Sequence, residues 1–472
     1  MRRFIPRLTP RWFPFAEIAT PDLPLGRLFR LSLFQVSVGI TLVMLAGTLN
    51  RVMIVELNVS ASLVSLMLAV PLLFAPLRAL IGFRSDNHQS ALGWRRVPYI
   101  WNGSLAQFGG FSIMPFALLV LAGQGESGVL PAWVGQLAAG LSFLLVGAGA
   151  HVVQTAGLAL ATDLTPERSH PKVVGLMYVM LLLGMMGSAL VLGYFLQEFS
   201  PGRLVKVIQS VALLVVVLNF ISVWKQEPRS RDRGAIQVQT EATFSESWAH
   251  FCEGADTLRR LLLVGLGTMA FGMADVLLEP FGGHVLNLSV STTTLLTALF
   301  AAGGLVGFAA AVKAVSSGTD ANAIASWGAV LGLPAFILVM AAAPLQMPAV
   351  FVVGNFLIGV GGALFAHGTL TATMSRAPKD QVGLALGAWG AVQATAAGAG
   401  LALSGIIRDV VDGLVTQLMP ALASNAAGYM AVYAIEMALL VVTVIVAVPM
   451  IRRHSLLDGR GSGASGDAST AL

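Results

Sequence analysis

The chain is built from a dozen long apolar runs, most of them about twenty residues or more, the length that crosses a bilayer core as a helix. "MALLVVTVIVAVPM" (437–450) is part of one of them. Barrel strands would alternate polar and apolar over segments of roughly ten residues, and these runs do not alternate. Only helices and closed barrels satisfy their backbone inside lipid. With 56% apolar residues, 11% charged residues and a mean hydropathy of +0.80, the chain excludes a soluble globule, which carries about 25% charge. It reads as an all-α membrane protein.

Twelve spans are expected near 29–50, 60–82, 97–122, 133–161, 172–197, 204–224, 260–284, 291–313, 322–344, 348–374, 382–407 and 427–450. An even number puts both termini on one side. If that side is cytoplasmic it holds 24 of the 28 Lys and Arg; Arg51, Arg203, Lys206 and Arg408 are the four outside. The positive-inside rule therefore predicts cytoplasmic termini. The polar stretch 225–258 divides the spans into an N-terminal bundle (29–224) and a C-terminal bundle (259–451). Its "FSESWAHF" reads as a short surface helix. Residues 1–28 are expected to form a cytoplasmic tail; Arg2, Arg3, Arg7 and Arg11 interleave with aromatics, as in a tail lying on the headgroups or in a disordered tail kept inside by its charge. That tail has no apolar core and so is not a signal peptide. Residues 452–472 are Gly/Ser-rich and predict a disordered cytoplasmic tail. The lone Cys252 excludes an internal disulfide or a cysteine metal cluster.

The two halves share a pattern. Aligning Pro166 with Pro378 brings Gly147 onto Gly359, Gly149 onto Gly361 and Leu158 onto Leu370. A six-plus-six pseudo-symmetric repeat resembles the major facilitator superfamily. The loop "IGFRSDNHQSALGWRRVPYI" (81–100) carries the parts of that superfamily's cytoplasmic gate motif: Gly82, Asp86, Gly93, Arg95 and Arg96. Asp86 suits a helix end or an Arg partner, and Arg95 and Arg96 suit the headgroups. "NHQSAL" lengthens the motif.

With its insertion, "FAPLRALIGFRSDNHQSALGWRRVPYIWNG" (74–103) resembles a branch of the superfamily. That branch is the bacteriochlorophyll delivery family of light-harvesting complex assembly proteins, of the PucC and LhaA type. "HVVQTAGLALATDL" (151–164) and "DVLLEPFGGHVLNLSV" (275–290) resemble it too. The N-terminal wording is closer to the LH1-associated LhaA type than to the LH2-associated PucC type. The resemblance implies a non-enzymatic factor in the bacterial inner (intracytoplasmic) membrane. It would bind bacteriochlorophyll and deliver it to light-harvesting alpha and beta polypeptides, LH1 before LH2, with the reaction centre and chlorophyll synthase as further partners and nucleic acid excluded.

Polar groups at membrane depth are costly and so mark candidate sites. Asp275 and Glu279 are spaced for one helix face, as a proton or cation site or as a structural pair with Arg51 or Arg408. Arg78 and Glu436 are further buried polar candidates. His367, His151 and His284 are candidate pigment ligands, since a neutral imidazole can bind a chlorin's magnesium; the alternative is an interhelical hydrogen bond. The eleventh span carries small residues at four-residue spacing (Gly383, Gly387, Ala391; Gly390, Ala394, Gly398), fit for close helix packing or for a docked partner. No Walker loop, dinucleotide fingerprint or nucleophile–base pair is present, so no enzyme is expected. The alternative function is a proton-coupled facilitator of a small solute, resting on Asp275 and Glu279.

Overall fold

A computed structural model of the chain describes residues 24–73, 94–123, 131–166, 169–227, 256–376, 382–418 and 425–463. Among these residues all regular structure is helical. The helices are α1 (Leu25–Glu56), α2 (Ala61–Leu73), α3 (Val97–Leu121), α4 (Ala132–Asp163), α5 (His170–Phe195) and α6 (Pro201–Val223). They continue with α7 (Thr257–His284), α8 (Val290–Ser316), α9 (Ala321–Leu345), α10 (Pro348–Arg376), α11 (Val382–Leu418) and α12 (Ala427–Gly463). Eleven are long and apolar enough to span a membrane; α2 is the short one, and the rest of its expected span lies outside the described residues. α12 runs on to Gly463, past residue 452 where the sequence predicts a disordered tail. The "FSESWAHF" segment lies outside the described residues.

Packing groups the chain into two compact units. Unit 1 holds residues up to Met44, Leu77–Ser188 and Ser200–Gly234; unit 2 holds Leu45–Pro76, Ala189–Phe199 and Ala235 onward. The second half of α1, all of α2 and the end of α5 thus belong with the C-terminal helices. Both units carry large apolar side chains on their outsides, Phe116 and Leu213 on unit 1 and Ile445 on unit 2 among them. Water would not tolerate such a surface, and lipid does.

Unit 1 closes around Leu28, Phe34, Ile100, Val153, Val173 and Met177. A polar knot sits inside it. Asn219 of α6 accepts from the Ser37 hydroxyl, and its amide donates to Ser104 (2.9 Å) and Gln107 (3.4 Å). Three helices are thereby fixed in register, because an unpaired amide there would cost about 1–3 kcal/mol. Unit 2 closes around Leu263, Ala325, Phe365, Ala447 and Met450, with an aromatic cluster of Phe281, Phe336, Phe351, Tyr429 and Tyr433.

The glycines of the sequence repeat do the same work in each unit. In unit 1, a Cβ on Gly149 of α4 would lie 2.5 Å from the Gly103 carbonyl oxygen of α3, and one on Gly103 would lie 2.8 Å from that of Gly149. In unit 2, Gly361 of α10 and Gly328 of α9 cross with the same reciprocal distances, 2.8 and 2.5 Å. Gly149→Ala and Gly361→Ala must therefore push backbones apart, at an expected cost of about 2 kcal/mol each. Gly387→Ala is the control, since nothing lies within 4 Å of its Cβ position and alanine favours helix. Thermal unfolding in detergent separates the two classes; equal effects would contradict the crossing.

α7 is broken at residues 275–277. The cause is Pro280, which has no N–H to offer the Val276 carbonyl four residues earlier. Asn50 of α1 supplies the missing donor, its Nδ2 lying 2.7 Å from Val276 O. α1 is itself widened into π-helix over Val43–Leu49 and Val52–Glu56, a feature that often accompanies functional positions. Gly47, in the first widened stretch, leaves room for the Glu279 carboxyl, which a Cβ would meet at 2.9 Å.

Candidate functional site

Of the gate motif, Gly82, Asp86 and Gly93 lie outside the described residues, as does Arg78. Arg95 is exposed, but Arg96 is only 5% exposed, and its Nε pairs with Asp163 Oδ2 at the end of α4 (3.0 Å). Arg96 is thus not a headgroup anchor: its guanidinium turns inward to a carboxylate. Glu227 lies outside the gate motif and carries no motif signal, yet its carboxylate accepts the backbone N–H groups of Arg95 (2.6 Å), Arg96 (3.1 Å) and Val97 (2.9 Å). This caps the start of α3, where free donors and the helix dipole favour an anion. The neighbouring Gln226 exchanges hydrogen bonds with Arg27 at the start of α1. The beginning of the 225–258 stretch is thereby pinned to unit 1.

The break in α7 separates Asp275 from Glu279. They do not share one uninterrupted helical face, and their surroundings differ. Asp275 is exposed at the surface of unit 2 and makes no hydrogen bond or ion pair among the described residues. Glu279 is 5% exposed; one carboxylate oxygen takes the Thr297 hydroxyl and the other has no partner. Neither expected arginine pairs with them. Arg51 pairs with Glu56 and donates to Leu288 O (2.9 Å). Arg408 pairs with Asp409 (2.8 Å) and Asp412 (3.1 Å). Proximity in sequence decided both pairings: Glu56, Asp409 and Asp412 each lie within five residues of their arginine.

Glu436 of α12 is fully buried, and neither of its carboxylate oxygens has a hydrogen-bond partner among the described residues. One turn earlier, the buried hydroxyl of Tyr433 is also unpartnered.

The three histidines differ. His151 and His367 are partly buried, and no hydrogen bond among the described residues engages either ring. His367 stands edge-on to Phe308, with ring centroids 4.9 Å apart. The interhelical hydrogen bond that would make them purely structural is therefore absent among the described residues. His284, at the end of α7, is held instead: its Nδ1 and the Tyr429 hydroxyl share a hydrogen bond of 2.8 Å. Tyr429 is fully buried and lies beneath the Arg408 guanidinium, 4.9 Å from its ring centroid. His284 also lines a pocket of about 550 Å³ together with Asn287, Pro344, Gln346, Asn425 and Met430. Asn287 and Gln346 adopt left-handed backbone conformations there (φ 53° and 49°), unusual for residues other than glycine. On the sequence His284 ranked third, behind His367 and His151; the geometry distinguishes it, because its partner, Tyr429, is distant in the chain.

Of the small residues in α11, Gly387 and Gly390 face open space, while Gly398 packs on Leu72 and Leu73 of α2. Close packing accounts for one end of the stripe only.

Comparison with known proteins places this architecture. Residues 48–455 match the family described as PUCC protein. A protein named PucC from Rhodovulum sulfidophilum is 60% identical over 85% of this chain and 89% of its own. Another of that name from Cereibacter sphaeroides is 53% identical over 94% and 96%. A more distant relative from Rhodobacter capsulatus, named bacteriochlorophyll synthase 44.5 kDa chain, is 26% identical over 79% and 85%. Among solved structures, a bacterial homologue of the human lysosomal transporter Spinster aligns with a TM-score of 0.66 at 15% identity, covering 92% of this chain and 98% of that one. That likeness speaks for fold, and the fold is of the major facilitator type, with twelve helices among the described residues. By its matched length and its identities to these relatives, the chain belongs to the PUCC protein family.

Proposed function

We propose that this chain is a non-enzymatic assembly factor that binds bacteriochlorophyll in the membrane and passes it to light-harvesting alpha and beta polypeptides. The observation that carries the reading is His284. In the tautomer whose Nδ1–H donates to Tyr429, Nε2 keeps a lone pair, and the hydrogen bond fixes the ring. Ligating histidines are held in this way in metal sites. The pocket beside it falls in the size range of small-molecule sites, its walls divided between apolar side chains and amides able to orient a polar substituent. His151 and His367, without a hydrogen bond among the described residues, are the secondary candidates. As cargo, the pigment would bring the magnesium that the imidazole binds; the chain supplies the nitrogen and the pocket.

The relatives named PucC, at 53% and 60% identity, support the PucC type over the LhaA type expected from the N-terminal wording. LH2 is accordingly the first client to test, and LH1 the second. The bacterial inner membrane, with both termini cytoplasmic, is the setting that the charge distribution supports. The PucC-named relatives and the transporter-like fold support a non-enzymatic role, against which stands the synthase-named relative at 26% identity.

His284→Ala, expressed in a pigment-producing host, is expected to retain less than a third of the bound bacteriochlorophyll. Tyr429→Phe, which removes the partner and leaves the imidazole, is expected to fall between that variant and the unmodified chain. Extraction and absorbance per mole of protein give the measurement. Full pigment in His284→Ala, with a loss in His151→Ala or His367→Ala, would move the ligand to those helices.

A further inference from the structure

We propose that Glu436 is the seat of an exchangeable proton, reached from the surface of unit 2 through Asp275 in the break of α7. The starting point is an imbalance. Both oxygens of a fully buried glutamate, and a buried tyrosine hydroxyl one turn away, have no hydrogen-bond partner among the described residues. An uncompensated carboxylate in such a place costs several kcal/mol, so something must neutralise it. Among the described residues, the elements packed on α12 supply no positive charge at the level of Glu436. α9 carries no titratable side chain between Ala321 and Leu345. On α11, Arg408, Asp409 and Asp412 are paired among themselves and lie at the level of Tyr429, two turns or about 10 Å along α12 from Glu436. On α7, His284 is likewise engaged at Tyr429, and Glu279 is bonded to Thr297. Arg259 and Arg260 stand in the first turn of α7, about 22 Å along the helix from its break; the group left on α7 is Asp275, which is acidic, exposed and within electrostatic reach of Glu436.

Two carboxylates and a phenol are fewer than the six or more oxygens that hard metal cations take. A proton needs one oxygen. It would pass from the Asp275 carboxylic acid to a Glu436 oxygen, leaving Asp275 a carboxylate and making Glu436 a carboxylic acid, and return by the same step. The rings of Phe281 and Phe336, which pack on Tyr433, keep other ions out. Because Asp275 stands in the broken segment of α7, protonation would act on the helix that ends at His284. This inference does not depend on the pigment.

The test is infrared difference spectroscopy on the full chain in detergent between acidic and alkaline buffer. The unmodified chain is expected to show a carboxylic-acid carbonyl band that shifts in D2O. Glu436→Gln should lack the band, and Asp275→Asn should keep it with a midpoint displaced by at least half a pH unit. Should Glu436→Gln fail to fold, the Asp275→Asn comparison decides alone. A band unchanged in both variants overturns the proposal. So does thermal stability that rises with Na⁺ over choline at fixed pH and loses that rise in Glu436→Gln, which would make the occupant a metal cation.

Discussion

Arg408→Ala is expected to destabilise unit 2 by about 3 kcal/mol, the cost of leaving the partners of a largely buried ion pair uncompensated. The guanidinium is 17% exposed and holds two carboxylates, Asp409 and Asp412, while lying over Tyr429. Those carboxylates have further duties. Asp409 accepts from the Ser62 hydroxyl (2.5 Å) and backbone N–H (2.7 Å), joining α11 to α2. Asp412 accepts from the Gly428 N–H (2.6 Å), joining α11 to α12. Removing the cation loosens both joints and frees the ring that orients His284. Arg408→Lys keeps the charge but not the fork and should lose about half as much. Denaturant unfolding in detergent gives the free energies; an unchanged midpoint for Arg408→Ala would show that the network is ornamental.

Glu227→Ala is expected to cost unit 1 about 2 kcal/mol. Three backbone donors at the start of α3 would lose a charged acceptor, and hydrogen bonds to charged groups contribute about 1.5–3 kcal/mol each before solvent replaces part of them. Glu227→Gln should lose less, because the amide oxygen still accepts. Hydrogen exchange should report the change at residues 95–97, while the far end of α3 near Leu121 stays protected. Uniform acceleration along the helix would mean that Glu227 acts on the whole unit rather than as a cap.

The helices were legible because lipid demands long apolar runs, and the glycine repeat was legible because close crossings leave no room for a side chain. What the runs conceal is where a helix breaks. "ADVLLEP" has helical spacing, and the spacing suggested one face for Asp275 and Glu279. Pro280 was the available signal, but its effect depends on Asn50, a residue 226 positions from the carbonyl it serves. The ion pairs were misjudged for a related reason. Depth along a span ranked Arg51 and Arg408 as partners for the buried acids, whereas Glu56, Asp409 and Asp412 were closer along the chain. Grouping of the second half of α1 with the C-terminal helices is a matter of packing, which hydropathy does not encode.

The central claim is that this chain carries bacteriochlorophyll. The most direct measurement is the near-infrared absorption spectrum of the chain purified under mild detergent from a pigment-producing host. Bacteriochlorophyll bands at about one pigment per protein, falling in His284→Ala, are predicted. A chain that is folded by circular dichroism, free of pigment and accompanied by no light-harvesting polypeptide would contradict the account.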